Sequence, residues 1–247
     1  MHKIKFVIIY LFICLSASFA QKKTIAIGLN YEQIVDTDRG YQYDQSITAS
    51  YSTKRERLAL EALYGLSTRL YTKSAIGISF YNSELTIGRL MNPCFSGIHI
   101  SNPYLVVSQT VLYDIVQFPS SGFLKIKVSP FLKFDYEHLL SKMENAKGFS
   151  DLASNEAVQF IAEFSIPALG AKTKSPIGIF SVAGGLSFEV ILYKKMGVYY
   201  NFGYSHSLFG HSMIDAKYKY IDNEIHALNC KSKDSGFLQK IGLRYYY

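Results

Sequence analysis

The chain has no tryptophan and only three cysteines in 247 residues, and charged side chains make up 18% of it. Ordinary soluble domains carry roughly 25%. Beyond the first 20 residues no apolar run is long enough to cross a bilayer as a helix, since the nearest, 178–193, is broken by Gly184, Gly185 and Glu189. That argues against a helical membrane protein. There is no phosphate-binding Gly-rich loop, dinucleotide fingerprint or Gly-x-Ser-x-Gly elbow. No Cys-x-x-Cys or His-x-x-x-His pair suggests a metal, so neither a metal site nor a cofactor is expected. Linkers, low-complexity tracts and repeats are also missing, which leaves one domain.

The N-terminus reads as a secretory signal over residues 1–20. His2, Lys3 and Lys5 give a charged start, Phe6 to Ala17 is a short apolar run, and Ser18-Phe19-Ala20 offers small residues at the cleavage positions. Ile13 before Cys14 is wrong for a lipobox. The mature chain then begins near Gln21, and losing Lys3 and Lys5 lowers the formal charge from +7 to +5. Secretion and the scatter of the basic residues speak against nucleic acid as a partner, while attraction to anionic headgroups is a milder consequence. Cys94 and Cys230 remain, in an oxidising compartment, as one disulfide or two unpaired loop cysteines.

Period-two alternation dominates the rest. Ile25, Ile27, Leu29 and Tyr31 oppose Ala26, Gly28, Asn30 and Glu32, and Tyr41, Tyr43, Ile47, Ala49 and Tyr51 oppose Gln42, Asp44, Ser46, Thr48 and Ser50. Leu58, Leu60, Ala62 and Tyr64 oppose Glu61, Gly65, Ser67 and Arg69; Ile126, Val128, Leu132, Phe134 and Tyr136 oppose Lys127, Ser129, Lys133, Asp135 and Glu137. Phe160 and Phe164 oppose Gln159 and Glu163, and Val198, Tyr200, Phe202 and Tyr204 oppose Asn201, Gly203 and Ser205. Nearly every ionisable group falls on the second face. A charge facing hydrocarbon at mid-depth costs about 2–4 kcal/mol, so this asymmetry fits a barrel whose first face meets lipid. Tyr41, Tyr43, Tyr51, Tyr136, Tyr199 and Tyr200 lie toward strand ends, where aromatic girdles form.

The last eight residues alternate and end in aromatics. Lys240, Gly242, Tyr245 and Tyr247 occupy the positions of a polar–x–Gly–x–x–aromatic–x–aromatic pattern. This resembles the C-terminal assembly signal of Gram-negative outer-membrane β-barrels, and the Lys-, Tyr- and Asn-rich composition is similar to small barrels of the Bacteroidetes. The resemblance implies an all-β fold over 21–247, an antiparallel transmembrane β-barrel in the cell outer membrane. It also implies outer-membrane lipid and lipopolysaccharide as surroundings and the barrel-insertion machinery as a transient partner.

The pattern is best met by about twelve strands, with ten or eight as alternatives, because bacterial barrels keep an even count. Connections on the side of the termini are expected near 53–56, 81–83, 119–122, 169–176 and 209–212. Those on the opposite side are expected near 35–40, 71–73, 92–103, 141–155, 193–197 and 223–235. Candidate lumen-lining charges are Glu61, Arg69, Lys125, Lys127, Lys133, Asp135, Glu137, Glu163, Glu189, Lys240 and Arg244. They would make either a selectivity lining or a cross-paired plug, and their basic excess would favour anions if a path exists. Function is read as non-catalytic: a narrow pore, or a structural or accessory subunit of a surface or secretion complex. Two alternatives stand beside it. His206 with Ser205 or Ser207 is slightly similar to the His–Ser pair of barrels that deacylate lipid A, although adjacent strand residues face opposite sides. A soluble periplasmic β-barrel carrier would show the same alternation with its faces reversed.

Overall fold

A computed structural model describes residues 24–36, 39–44, 47–89, 92–118, 123–141, 147–150, 172–210, 213–219, 225–231 and 234–247. The strands are β1 (Thr24–Val35), β2 (Arg39–Asp44), β3 (Ile47–Gly65), β4 (Leu70–Arg89), β5 (Asn92–Tyr113), β6 (Val116–Phe118) and β7 (Leu124–Leu139). Then come β8 (Lys147–Ser150), β9 (Lys172–Lys174), β10 (Gly178–Leu192), β11 (Met196–Phe209), β12 (Met213–Lys219), β13 (Ile225–Lys231) and β14 (Gly236–Tyr246).

Eight of these close a ring of antiparallel pairs in the order β7, β10, β11, β14, β1, β3, β4, β5 and back to β7. The wall therefore has eight strands, the smallest of the counts the sequence allowed, rather than the favoured twelve. The register measures its shape. From Val128 the cross-strand partners run through Phe188, Tyr200, Ile241, Tyr31, Leu58, Ile78 and Leu105, and return to β7 at His138. One circuit thus climbs ten residues, from 128 to 138. With ordinary strand spacings this gives a tilt of about 40° and a backbone radius of about 8 Å, an interior just wide enough for side chains to fill.

The start of β1 and the end of β14 lie at one rim, where Ala26 pairs with Tyr246. The connections at this terminal end are 66–69, 114–123 and 193–195. The four at the opposite, loop end include β2, β8, β9, β12 and β13. At that end β3, β4 and β5, of 19, 20 and 22 residues, stand above the ring as a taller sheet edged by β2 and β8, while β9, β12 and β13 form a second small sheet.

These lengths correct the expected turns. Residues 53–56, 81–83 and 92–103 lie within β3, β4 and β5, and 71–73 opens β4 just above the terminal end. The connection at 193–197 is on the terminal side, not the opposite one, and those at 169–176 and 209–212 are on the loop side. Cys94 and Cys230 sit in β5 and β13 rather than in loops, with side chains outside the described residues.

The faces follow the alternation. Ile27, Leu29, Leu58, Leu60, Ile76, Ile78, Leu132, Phe188, Val198, Phe202, Ile241 and Leu243 all point outward and are exposed. The interior holds Asn30, Glu32, Arg55, Arg57, Glu61, Lys73, Lys133, Asp135, Glu137, Asn201 and Arg244, all buried. Its apolar part is small. Ile34 pairs with Leu238 and Leu112 with Phe131, and Tyr81, Tyr104 and Ile179 close the loop end. A soluble carrier would have these faces the other way round.

Candidate functional site

Among the described residues, chemistry-bearing side chains gather in the lumen, and strand position decides which charge meets which. Toward the terminal end Glu61 of β3 is the hub. It takes Arg244 Nε at 2.6 Å, and Lys73 and Lys240 at 3.3 and 3.5 Å. Tyr199 Oη donates to it at 2.6 Å and Asn30 Nδ2 at 3.0 Å. Arg244 reaches on to Glu189 at 3.0 Å, to which Tyr246 also donates.

Toward the loop end Arg57 takes over as hub. It donates to Glu32 at 2.5 Å, Asp135 at 2.7 Å and Glu137 at 2.5 Å. Lys133 bridges Glu32 at 2.5 Å and Asp135 at 3.0 Å. Arg55 joins Glu137 at 2.9 Å and the Asp234 carbonyl at 2.7 Å, and Tyr81 donates to the Asp234 carboxylate. Lys240, 3.9 Å from Glu32, links the two hubs. At the terminal rim Lys127 pairs with Asp114 at 2.9 Å.

Buried charges are expensive unless each meets an opposite one and spends its remaining donors or acceptors on hydrogen bonds. Here the numbers nearly match: Glu32, Asp36, Glu61, Asp114, Asp135, Glu137, Glu189 and Asp234 against Arg55, Arg57, Lys73, Lys127, Lys133, Lys240 and Arg244. The basic excess expected from the sequence is not found among these buried groups. Lys133 of β7 meets Glu32 of β1 directly across the ring, and Arg57 of β3 meets Asp135 and Glu137 of β7, three strands away, so these pairs cross the lumen instead of lining it.

Of the sequence candidates, Glu61, Lys127, Lys133, Asp135, Glu137, Glu189, Lys240 and Arg244 belong to this interior. Lys125 is only half-buried, at the terminal mouth, and Arg69 is exposed in the 66–69 turn, which corrects its placement in the lumen. Glu163 lies outside the described residues. Sequence reasoning missed Arg55 and Lys73 because their segments were read as turns. It also missed Arg57, and it assigned Tyr199 to the girdle although its ring is buried inside.

Tyr199 also explains Gly242. Both face inward as cross-strand partners on β11 and β14, and a Cβ on Gly242 would overlap the Tyr199 ring. The ring lies under the Arg244 guanidinium at 3.9 Å and the Lys73 ammonium at 4.7 Å. Gly242 therefore has a packing role whatever it does during assembly. Gly242→Ala is expected to cost about 1–3 kcal/mol through overpacking, read by equilibrium unfolding. Most of that penalty should vanish in a Tyr199→Leu background. A penalty unchanged there would assign the glycine to assembly alone.

His206, Ser205 and Ser207 do not form a nucleophilic pair. Both serines face the lumen and are buried, while His206 faces outward. Its Nδ1 instead meets Ser235 Oγ at 2.8 Å, and the same hydroxyl accepts the Ser207 N–H at 3.3 Å. Ser235 is 3% exposed. It pins the end of β11 to the start of β14 and offers no accessible nucleophile.

No protein-family model and no curated protein matches the chain. Solved structures of similar architecture are outer-membrane proteins. The outer membrane protein OprG from Pseudomonas aeruginosa is 14% identical, with a TM-score of 0.47 over 92% of this chain and 97% of that one. The translocator domain of the autotransporter NalP from Neisseria meningitidis is 11% identical, with a TM-score of 0.30 over 94% and 93%. A major outer membrane protein from Thermus thermophilus is 8% identical, with a TM-score of 0.32 over 90% and 99%.

Proposed function

We propose that the chain is an integral outer-membrane β-barrel with no catalytic role. Its lumen is closed by its own ion pairs, and it serves as a membrane-anchored structural or accessory subunit rather than as an open pore. One observation carries this reading: the ionic side chains cross the interior while an apolar wall faces out. A closed ring satisfies every backbone group of the wall, as hydrocarbon requires, and contiguous exposed apolar surface of this extent is foreign to soluble monomers.

Tyr64, Tyr113, Tyr193, Tyr245 and Tyr247 lie toward the terminal end, where an interfacial girdle belongs. The short connections there fit the periplasmic side and the long ones the cell exterior. The signal segment 1–20 would direct export, lipid and lipopolysaccharide would surround the wall, and Gly242, Tyr245 and Tyr247 would present the strand to the insertion machinery.

The purified full chain in planar bilayers should give no steady conductance above the bare-membrane baseline. A stable ohmic channel would overturn the closed-lumen reading and restore the pore.

A further inference from the structure

The terminal mouth of the barrel holds a pocket of about 620 Å³ that the lumenal network does not use. This is within the size of sites that take small ligands. Three cations line it, each from a different connection or strand start: Arg69, Lys125 and Lys194. None of the three makes a salt bridge among the described residues. The one acid in the lining, Asp114, is already spent: Lys127 holds it at 2.9 Å, Gln117 Nε2 at 2.7 Å and Ser129 Oγ at 2.6 Å. The pocket therefore carries three cations against one acid that Lys127 already neutralises, in contrast to the balanced interior above it.

The remaining wall is apolar. Ile115 and Phe123 line the pocket and are about half exposed, at 51% and 49%. Phe118, in β6 of the same connection, is also exposed, at 58%.

A strained turn builds one side. Lys195 N–H closes onto Leu192 C=O at 3.0 Å around Tyr193 and Lys194, whose φ angles are 49° and 59°. Such turns favour Asn-Gly, because side chains at positive φ crowd the backbone. Tyr and Lys here gain something that glycine would not supply. The Tyr193 ring packs edge-on against Phe123 with centroids 4.3 Å apart, and Lys194 reaches the pocket. Strain retained at a cationic pocket points to binding.

We propose that this mouth binds the phosphate-bearing head of an anionic phospholipid. Arg69, Lys125 and Lys194 meet the charge, and the wall of Ile115 and Phe123 takes the glycerol and first methylenes. The site rests on the reading of the chain as a membrane barrel, with this rim at the lipid–water interface.

Native mass spectrometry of the full chain, released from detergent with phosphatidylglycerol or phosphatidylcholine of identical acyl chains, tests it. Phosphatidylglycerol should be retained at least tenfold more strongly. Lys125→Gln/Lys194→Gln should bring it down to the phosphatidylcholine level, while Lys54→Gln, at the loop end, should change nothing. Lys194→Gly relieves the turn, so it should fold at least as well and still lose at least threefold.

Equal retention of the two lipids would overturn the site, as would selectivity surviving in the double variant or lost equally in Lys54→Gln. Inorganic phosphate displacing phosphatidylglycerol at matching concentration would overturn the lipid as source in favour of a free anion. Heat-modifiable gel migration confirms a folded barrel in each sample, and carbonate extraction of membranes reports insertion. A failed lipid test with intact insertion therefore removes only this site.

Discussion

Arg57→Met is expected to lower the unfolding free energy by about 3–5 kcal/mol, the scale for severing a buried pair from one side, read by urea unfolding in phospholipid vesicles. The size follows from what the guanidinium holds together. Glu32, Asp135 and Glu137 converge on it within 2.7 Å, and all are buried. Methionine keeps an unbranched chain but leaves three carboxylates facing one another with Lys133, Arg55 and the more distant Lys240 as their remaining cations. A solvated surface pair would cost less than about 1 kcal/mol, so a loss that small would mean the lumen is wet and open rather than packed. Arg57→Met/Glu137→Gln should cost less than the sum of the two single changes, because the second relieves repulsion created by the first.

The same residue shows where the sequence was legible and where it was not. Face assignment came through wherever one side of a strand is apolar. In β1, Ile27, Leu29 and Tyr31 are outside and Asn30 and Glu32 inside, and β7 and β11 follow the same rule. The alternation disappears at Lys54-Arg55-Glu56-Arg57, since both sides are polar there. Arg55 and Arg57 point in, while Lys54 and Glu56 pair outside at 2.8 Å, with side chains 44% and 32% exposed. Four successive charges then look like a turn, although the strand continues through them for reasons of cross-strand pairing that hydropathy does not record.

Strand count fails for a related reason. The barrel closes by pairing β7 directly with β10. Counting the alternation at 158–166, which lies outside the described residues, as a wall strand between them puts the connections at 169–176, 193–197 and 209–212 on the wrong side. The candidate site was legible in its composition but not in its geometry. Asp135 and Lys133 could be placed on the inner face from spacing alone. That Arg57 of β3 would meet them depended on the ten-residue stagger, which no local pattern encodes.

Leu60→Arg is expected to cost about 2–4 kcal/mol, and Tyr64→Arg, nearer the terminal rim on the same strand and face, no more than about 1 kcal/mol. Leu60 is already 60% exposed to whatever surrounds the wall. In water, replacing so exposed a side chain by arginine would stay within about 0.5 kcal/mol, because nothing packed is lost and no charge is buried. In hydrocarbon the guanidinium must be desolvated or must drag headgroups and water inward, and that penalty falls with depth. Unfolding in vesicles therefore measures the solvent of the wall directly. A gradient from Leu60 through Ala62 to Tyr64 identifies a bilayer, with its midplane near Leu60. A flat series near zero at all three positions would leave the apolar belt without a membrane to face, and a docked protein surface would become its natural cover.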